Sequence, residues 1–158
     1  MIKAPITCPK SLPEAIELLT GNPGALVLAG GTDLLIQMKK KAAAPTLLVS
    51  LRAIDELREV NESEHRLRLG ATLPLATLAE SADIADSAPL IAAAARVMAS
   101  PPVRSQGTLG GNLCHASPAA DLAPPLLVHE AVVVLFGPQG ERKLPLSAFL
   151  LGPGATAL

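Results

Sequence analysis

The chain has 158 residues, a length that fits one ordinary domain or two small lobes sharing a core, and that buries enough surface to fold without a disulfide or metal staple. Nearly half of it is apolar (49%), yet Trp and Tyr are absent, Phe occurs twice, and 13 basic residues face 14 acidic ones for a net charge of −1. That composition excludes a disordered chain, the aromatic platforms of single-strand nucleic-acid binders and the basic field that draws phosphate backbones, so no nucleic-acid partner is expected.

The opening MIKAPITCPKSLPEAIELL is broken by Pro5, Pro9 and Pro13 and lacks the apolar core of an export signal. No run approaches the ~18 uninterrupted apolar residues of a membrane span. Cys8 and Cys114 belong to no C-x-x-C pair; two such thiols without an export signal imply a reduced, cytoplasmic setting. Ser11-Leu12-Pro13-Glu14 has capping-box spacing, and Leu12, Ala15, Ile16 and Leu19 recur at helical intervals, which predicts a helix over 12–20. Asn22-Pro23-Gly24 is a turn. The apolar run 25–28 suits a buried strand and stops at Ala29-Gly30-Gly31-Thr32-Asp33. Residues 34–41 read as a helix with three lysines in its last turn, 46–50 as a second buried strand and 55–58 as one helical turn.

A second region begins near Val60. Arg66-Leu67-Arg68-Leu69 alternates as a half-exposed strand does. Residues 75–80 and 89–99 read as helices, the second with a slim alanine face and a stop at Ser100-Pro101-Pro102. Residues 107–120 form a long stretch rich in small side chains. The runs 131–136 and 141–146 flank Gly137-Pro138-Gln139-Gly140 as a hairpin, and 149–154 leads to the end of the sequence without a closing element.

The chemistry must come from two glycine-rich loops. In Ala29-Gly30-Gly31-Thr32-Asp33 the missing Cβ atoms permit positive φ and close approach of a ligand, and the first N–H groups of the following helix have no internal partner. Together these make an anion nest; the same residues also serve as a plain strand-to-helix turn with Thr32 or Asp33 as N-cap. Gly107-Thr108-Leu109-Gly110-Gly111-Asn112 reads either as a binding loop or as a surface loop relieved by glycine. Asp121 stands in a run of Ala, Leu and Pro, where a carboxylate needs a partner; ligand hydroxyls or the start of a helix over 121–128 could supply one.

Other groups carry less. The glycines fit neither G-x-G-x-x-G nor a P-loop, and His65, His115 and His129 lack metal-ligand spacing, so no metal site is expected. His65 falls at an exposed strand end and His129 at a helix end. His115 follows Cys114 directly, and neighbours on an extended segment face opposite ways. Ser105, Ser117 and Ser147 have no nucleophile-elbow context, and Arg104 either steadies a phosphate or caps a carbonyl.

AGGTDLL at 29–35 resembles the first flavin loop of the FAD subunits of molybdenum hydroxylases, the xanthine dehydrogenase and carbon monoxide dehydrogenase flavoproteins. PPVRSQGTLGGNLCHASPAADLAP at 101–124 resembles their second loop, an Arg followed by T-x-G-G-[NS] and then A-D or S-D, with Arg104, Thr108, Gly110, Gly111, Asn112, Ala120 and Asp121 in those places. FLLGPGATAL at 149–158 is similar to their F-x-x-G-P segment. The resemblance implies an α+β, two-lobed FAD-binding fold of the vanillyl-alcohol-oxidase and molybdenum-hydroxylase type. Its lobes would be 1–58 and 59–158, and it would lack the family's further C-terminal α/β segment. It implies FAD in the cleft between the lobes, its diphosphate held by Ala29, Gly30, Gly31, Thr32 and Asp33 and by Thr108, Leu109, Gly110, Gly111 and Asn112. Asp121 would accept from FAD hydroxyls, and Leu109 would touch the ring. The implied partners are a molybdenum-cofactor subunit and an iron–sulfur subunit, with electrons passed on to NAD, a quinone or another acceptor and no catalytic acid or base in this chain. An alternative is a non-catalytic assembly module that keeps the fold without stable FAD binding; another is an FAD oxidoreductase of the same fold acting on its own small substrate.

Overall fold

Local sequence explains the first elements directly. The computed structural model describes residues 4–158; residues 1–3 of the expected first lobe lie outside the described residues. After the short strand β1 (Ile6–Thr7), helix α1 (Leu12–Gly21) starts where Ser11 Oγ accepts the Glu14 N–H at 3.3 Å. Glu14 returns the favour one residue earlier than a standard box, accepting the Lys10 N–H at 2.8 Å. Strand β2 (Leu26–Leu28) leads into the first glycine loop and helix α2 (Leu34–Lys39), and strand β3 (Leu48–Ser50) follows. The three strands form a parallel sheet in the order β1-β3-β2, with Leu28 opposite Ser50.

Only the central strand is buried as expected: Leu48 and Val49 have no exposed surface. Leu26 and Val27 of β2, which point to opposite faces, are 37% and 40% exposed on this edge strand. Two 3-10 turns (Leu51–Ala53 and Asp55–Leu57) end this part, and its core is Ala15, Leu47, Val49 and Ile54.

The second part opens with the antiparallel pair β4 (Val60–Ser63) and β5 (Arg66–Leu69). Four helices follow: α3 (Leu75–Glu80), α4 (Ala82–Ser87), α5 (Pro89–Val97) and α6 (Pro101–Gln106). Helix α4 has too short an apolar pattern to be read from sequence; its Ser81 N-cap, which accepts the Ile84 N–H, was the available signal. The Ser100-Pro101-Pro102 stop also starts α6, since proline fits the first helical turn as well as it ends the previous helix. The stretch 107–120 contains a helix, α7 (Leu109–His115), and α8 (Ala123–Val128) begins two residues later than expected.

The expected hairpin forms as β6 (Val132–Gly137) and β7 (Gly140–Pro145), its turn shortened to Pro138-Gln139 because Gly137 and Gly140 pair. The chain then closes, contrary to the sequence reading, with α9 (Leu146–Phe149) and the small pair β8 (Leu150–Gly152) and β9 (Ala155–Thr156). Phe149 anchors that ending at 1% exposure in a second core with Leu78, Ile84, Ala95, Leu122 and Leu146. The buried side chains of Leu146 and Phe149 in α9 fix the segment, where short strands alone would be marginal.

No described helix is long and apolar enough to cross a membrane.

Candidate functional site

Parallel strands deliver the chain at one edge of their sheet, so whatever follows β2 and β3 collects there. The first glycine loop follows β2. It lies directly against the end of α6: a Cβ on Gly30 would sit 2.2 Å from the Gln106 carbonyl oxygen and 3.0 Å from Gly107 Cα. Only glycine allows this backbone-to-backbone contact. The structure therefore brings the two predicted loops together. Gly31 turns the chain with φ +77°, and a Cβ there would crowd Leu35 and Leu28 at 3.0 and 3.1 Å.

Within the first loop the main chain is open. Leu35 and Ile36 donate to the Gly31 and Asp33 carbonyls, but the N–H groups of Gly30, Gly31, Thr32, Asp33 and Leu34 have no partner among the described residues. Asp33 occupies the N-cap position without capping. Its carboxylate is drawn to Gln37 Nε2 and to His115 Nδ1, the latter at 3.1 Å. Both the Thr32 and the Asp33 N-cap readings thus fail here, and the amides stay free because the one carboxylate nearby is held elsewhere.

The second loop differs from expectation. It is the first turn of α7, and its amides are already engaged. Gly107 donates to Val103, Leu109 to Leu73 at 3.0 Å, Gly110 to Ala71 at 2.8 Å, and Asn112 to Thr108. Gly111 donates to Thr108 Oγ1 at 3.1 Å, a side-chain N-cap. Only the Thr108 N–H lacks a partner among the described residues. A second nest of paired amides is therefore not what this segment offers. It offers glycines that permit close approach: a Cβ on Gly111 would meet the Thr108 hydroxyl at 2.9 Å and nothing else within 4 Å.

Thr108 itself is buried, so its cap has consequences. Thr108→Ala is expected to remove about 1 kcal/mol of stability and to lower the melting temperature by roughly 2–4 °C. Thr108→Ser should restore most of it. An unchanged melting temperature in the alanine variant would contradict the cap.

Two residues read from sequence sit differently. Leu109 is 6% exposed and belongs to the second core, and its N–H is held by the Leu73 carbonyl, so its side chain is not presented to a flavin ring. Asp121 is exposed, one residue before the Leu122 cap position of α8, and caps nothing. Solvent satisfies it, and the apolar neighbours impose no burial.

Sequence reasoning missed the residues that tie the loops together. Arg52 donates from Nη2 to Gln106 Oε1 at 2.5 Å and from Nε to the Ala29 carbonyl at 3.4 Å. His115 joins the end of α7 to Asp33. Arg52 follows β3 by two residues, and only the pairing of β3 with β2 brings it to the glycines. His115 had no signal. Arg104 does not face the loops; its Nη1 holds the Met98 and Ala99 carbonyls, both at 2.9 Å, at the end of α5. Cys114 and Cys8 are free thiols, and desolvation pushes the Cys114 thiol up, so it is a weak nucleophile at neutral pH. No group of three or more metal-binding side chains stands together among the described residues.

The arrangement suits an anion such as a diphosphate. Five partnerless amides on one short segment match an anion with many acceptor oxygens. The glycine contacts leave no room for side chains between the loops at Gly30. Asn112 Oδ1 is buried and has no donor among the described residues.

A model of the FAD binding domain in molybdopterin dehydrogenase matches residues 2–158. The carbon monoxide dehydrogenase medium chain of Hydrogenophaga pseudoflava is 40% identical over 152 residues, covering 95% of this chain and 53% of that one. The xanthine dehydrogenase FAD-binding subunit of Escherichia coli O157:H7 is 36% identical over 149 residues, covering 94% and 51%. This chain thus spans about half the length of the curated relatives it matches. Among solved structures, carbon monoxide dehydrogenase from Hydrogenophaga pseudoflava superposes with a TM-score of 0.95 at 37% identity, over 99% of this chain and 55% of that one. Quinoline 2-oxidoreductase from Pseudomonas putida 86 gives 0.94 at 30% identity, over 98% and 54%.

Proposed function

The chain belongs to the family of FAD-binding domains of molybdopterin dehydrogenases, and from that premise we propose that it holds the FAD of a molybdenum hydroxylase complex as its electron-transfer component. Its fold is the family's mixed helix-and-sheet FAD-binding fold. When bound, FAD supplies the redox chemistry, relaying electrons from a molybdenum-cofactor subunit and an iron–sulfur subunit to NAD, a quinone or another acceptor.

The chain's own task is to bind and orient. The amides of Gly30, Gly31, Thr32 and Asp33 hold the diphosphate, with Ala29 shaping the entry. Thr108 and Asn112 offer an N–H, a hydroxyl and an unpaired carbonyl oxygen, while Leu109, Gly110 and Gly111 give backbone and clearance. Asp121, without an ion-pair partner among the described residues, accepts from cofactor hydroxyls. The cofactor lies between two lobes, 1–58 and 59–158, a division supported by the two separate apolar cores. The chain offers orientation and exclusion, with no acid or base of its own in the reaction.

One observation carries this reading: the partnerless amides of 30–34 lie beside the second loop, with the Gly30 backbone against Gln106 and Gly107. Incubation with FAD followed by desalting should leave a yellow protein with about one flavin per chain. A colourless protein would refute stable binding. It would favour the same chain as an assembly module, a reading supported by the uncovered apolar row Val132, Val134 and Phe136 on the outer face of β6.

A further inference from the structure

We propose that Arg52 is a positioning residue of the FAD site, acting as a fork that fixes the first loop against the second; this deepens the FAD reading and rests on it. Arg52 reaches the site because of sheet register. Leu28 and Ser50 are the last paired residues of β2 and β3, so Ala29 and the turn Leu51–Ala53 leave the same edge side by side. From there the guanidinium takes two oxygens from different parts of the chain. Nε donates to the carbonyl of Ala29, where the first loop begins. Nη2 donates to the side chain of Gln106, whose own carbonyl is the atom that Gly30 is packed against.

The Arg52 contacts therefore bracket the closest approach of the two loops from both sides. The first loop cannot slide away from α6 without stretching one bond of the fork. Its free amides between Gly30 and Leu34 follow that movement, because no bond of their own holds them. The planar, preorganised guanidinium suits this work: two donors at a fixed angle meet two acceptors, which a lysine ammonium on a flexible stem cannot reproduce.

Arg52 is also unlike an ordinary structural arginine. Both of its acceptors are neutral, and no carboxylate pairs with it among the described residues. Three of its five N–H donors have no partner among the described residues. Its side chain is exposed, so it is not there to fill the core.

The test is FAD affinity by fluorescence titration, with visible circular dichroism of the bound flavin, on the wild type, Arg52→Gln, Arg52→Lys, Gln106→Ala and the double variant Arg52→Gln/Gln106→Ala. Each single variant is expected to weaken FAD roughly tenfold, about 1.4 kcal/mol, and to change the flavin dichroism. The double variant should be no more than about tenfold weak, since one fork is broken once. Arg52→Lys should stay close to Arg52→Gln while the flavin-free melting temperature remains near wild type. Wild-type affinity in Arg52→Gln, restoration of affinity by Lys, or a double variant near a hundredfold weak would each overturn the fork. A wild-type chain that binds no FAD would instead remove the underlying FAD reading, and the inference with it.

Discussion

Gly30→Ala is expected to abolish flavin retention and to destabilise the flavin-free chain by about 3 kcal/mol, near the upper end for overpacking. The added methyl carbon would lie 2.2 Å from the Gln106 carbonyl oxygen, 2.9 Å from its carbon and 3.0 Å from Gly107 Cα. All three are main-chain atoms, so no side-chain rotation relieves the clash. The loops must part, and the amides beyond Gly30 part with them. A melting curve without FAD should shift down by roughly 6–12 °C, and the flavin-to-protein ratio after desalting should fall to near zero. Gly21→Ala is the control: a Cβ there meets nothing within 4 Å, so the flavin ratio should hold and the melting temperature should stay level or rise slightly, alanine being the better helix former in the last turn of α1. A Gly30→Ala protein that melts like wild type and keeps its flavin would show that the loops do not touch.

Gly110→Ala should follow with a smaller loss, about 2 kcal/mol. Its Cβ would stand 2.8 Å from the Ala71 oxygen and 2.9 Å from Ala71 Cβ, while the Gly110 N–H already donates to that oxygen at 2.8 Å. Ala71 is exposed and can yield more than the buried end of α6 at Gly107. Removing the Ala71 methyl group should therefore rescue part of the loss: Gly110→Ala/Ala71→Gly is expected to recover about half of the melting-temperature decrease beyond the effect of Ala71→Gly alone. No recovery would place the strain elsewhere in the first turn of α7. FAD affinity should drop in the single variant, because Thr108, Gly111 and Asn112 share that turn.

Much of this was legible from residues whose signal is local. Ser11 and Glu14 marked the start of α1, and Gly137 through Gly140 marked the hairpin, because capping and turn chemistry act over four residues. The glycine pairs marked the two segments that meet where Gly30 packs against Gln106 and Gly107. What failed depended on distant neighbours. Leu26 and Val27 look like core in sequence and lie at an uncovered edge, since strand order is not a local property. Thr108 through Asn112 read as a loop because glycine is a poor helix former; the cap and the contacts to Leu73 and Ala71 override that preference. Asp121 was assigned a burial problem it does not have. Arg52 and His115 could not be placed until the fold put β3 beside β2 and the end of α7 beside Asp33.

The two apolar cores have a consequence for how the molecule responds to its cofactor. The seam between them is bridged by main-chain and polar contacts: Gly30 on Gln106, Arg52 to Gln106, Asp33 to His115, and Thr72 Oγ1 to the Leu57 carbonyl at 2.9 Å. Such contacts gain little hydrophobic free energy, so the seam is the region from which local opening begins. A ligand that grips both sides is then linked to closure of the seam, and saturating it adds about 2.7 kcal/mol at a hundred times its dissociation constant. Thermal tolerance is therefore expected to rise with the supply of a ligand that bridges the seam.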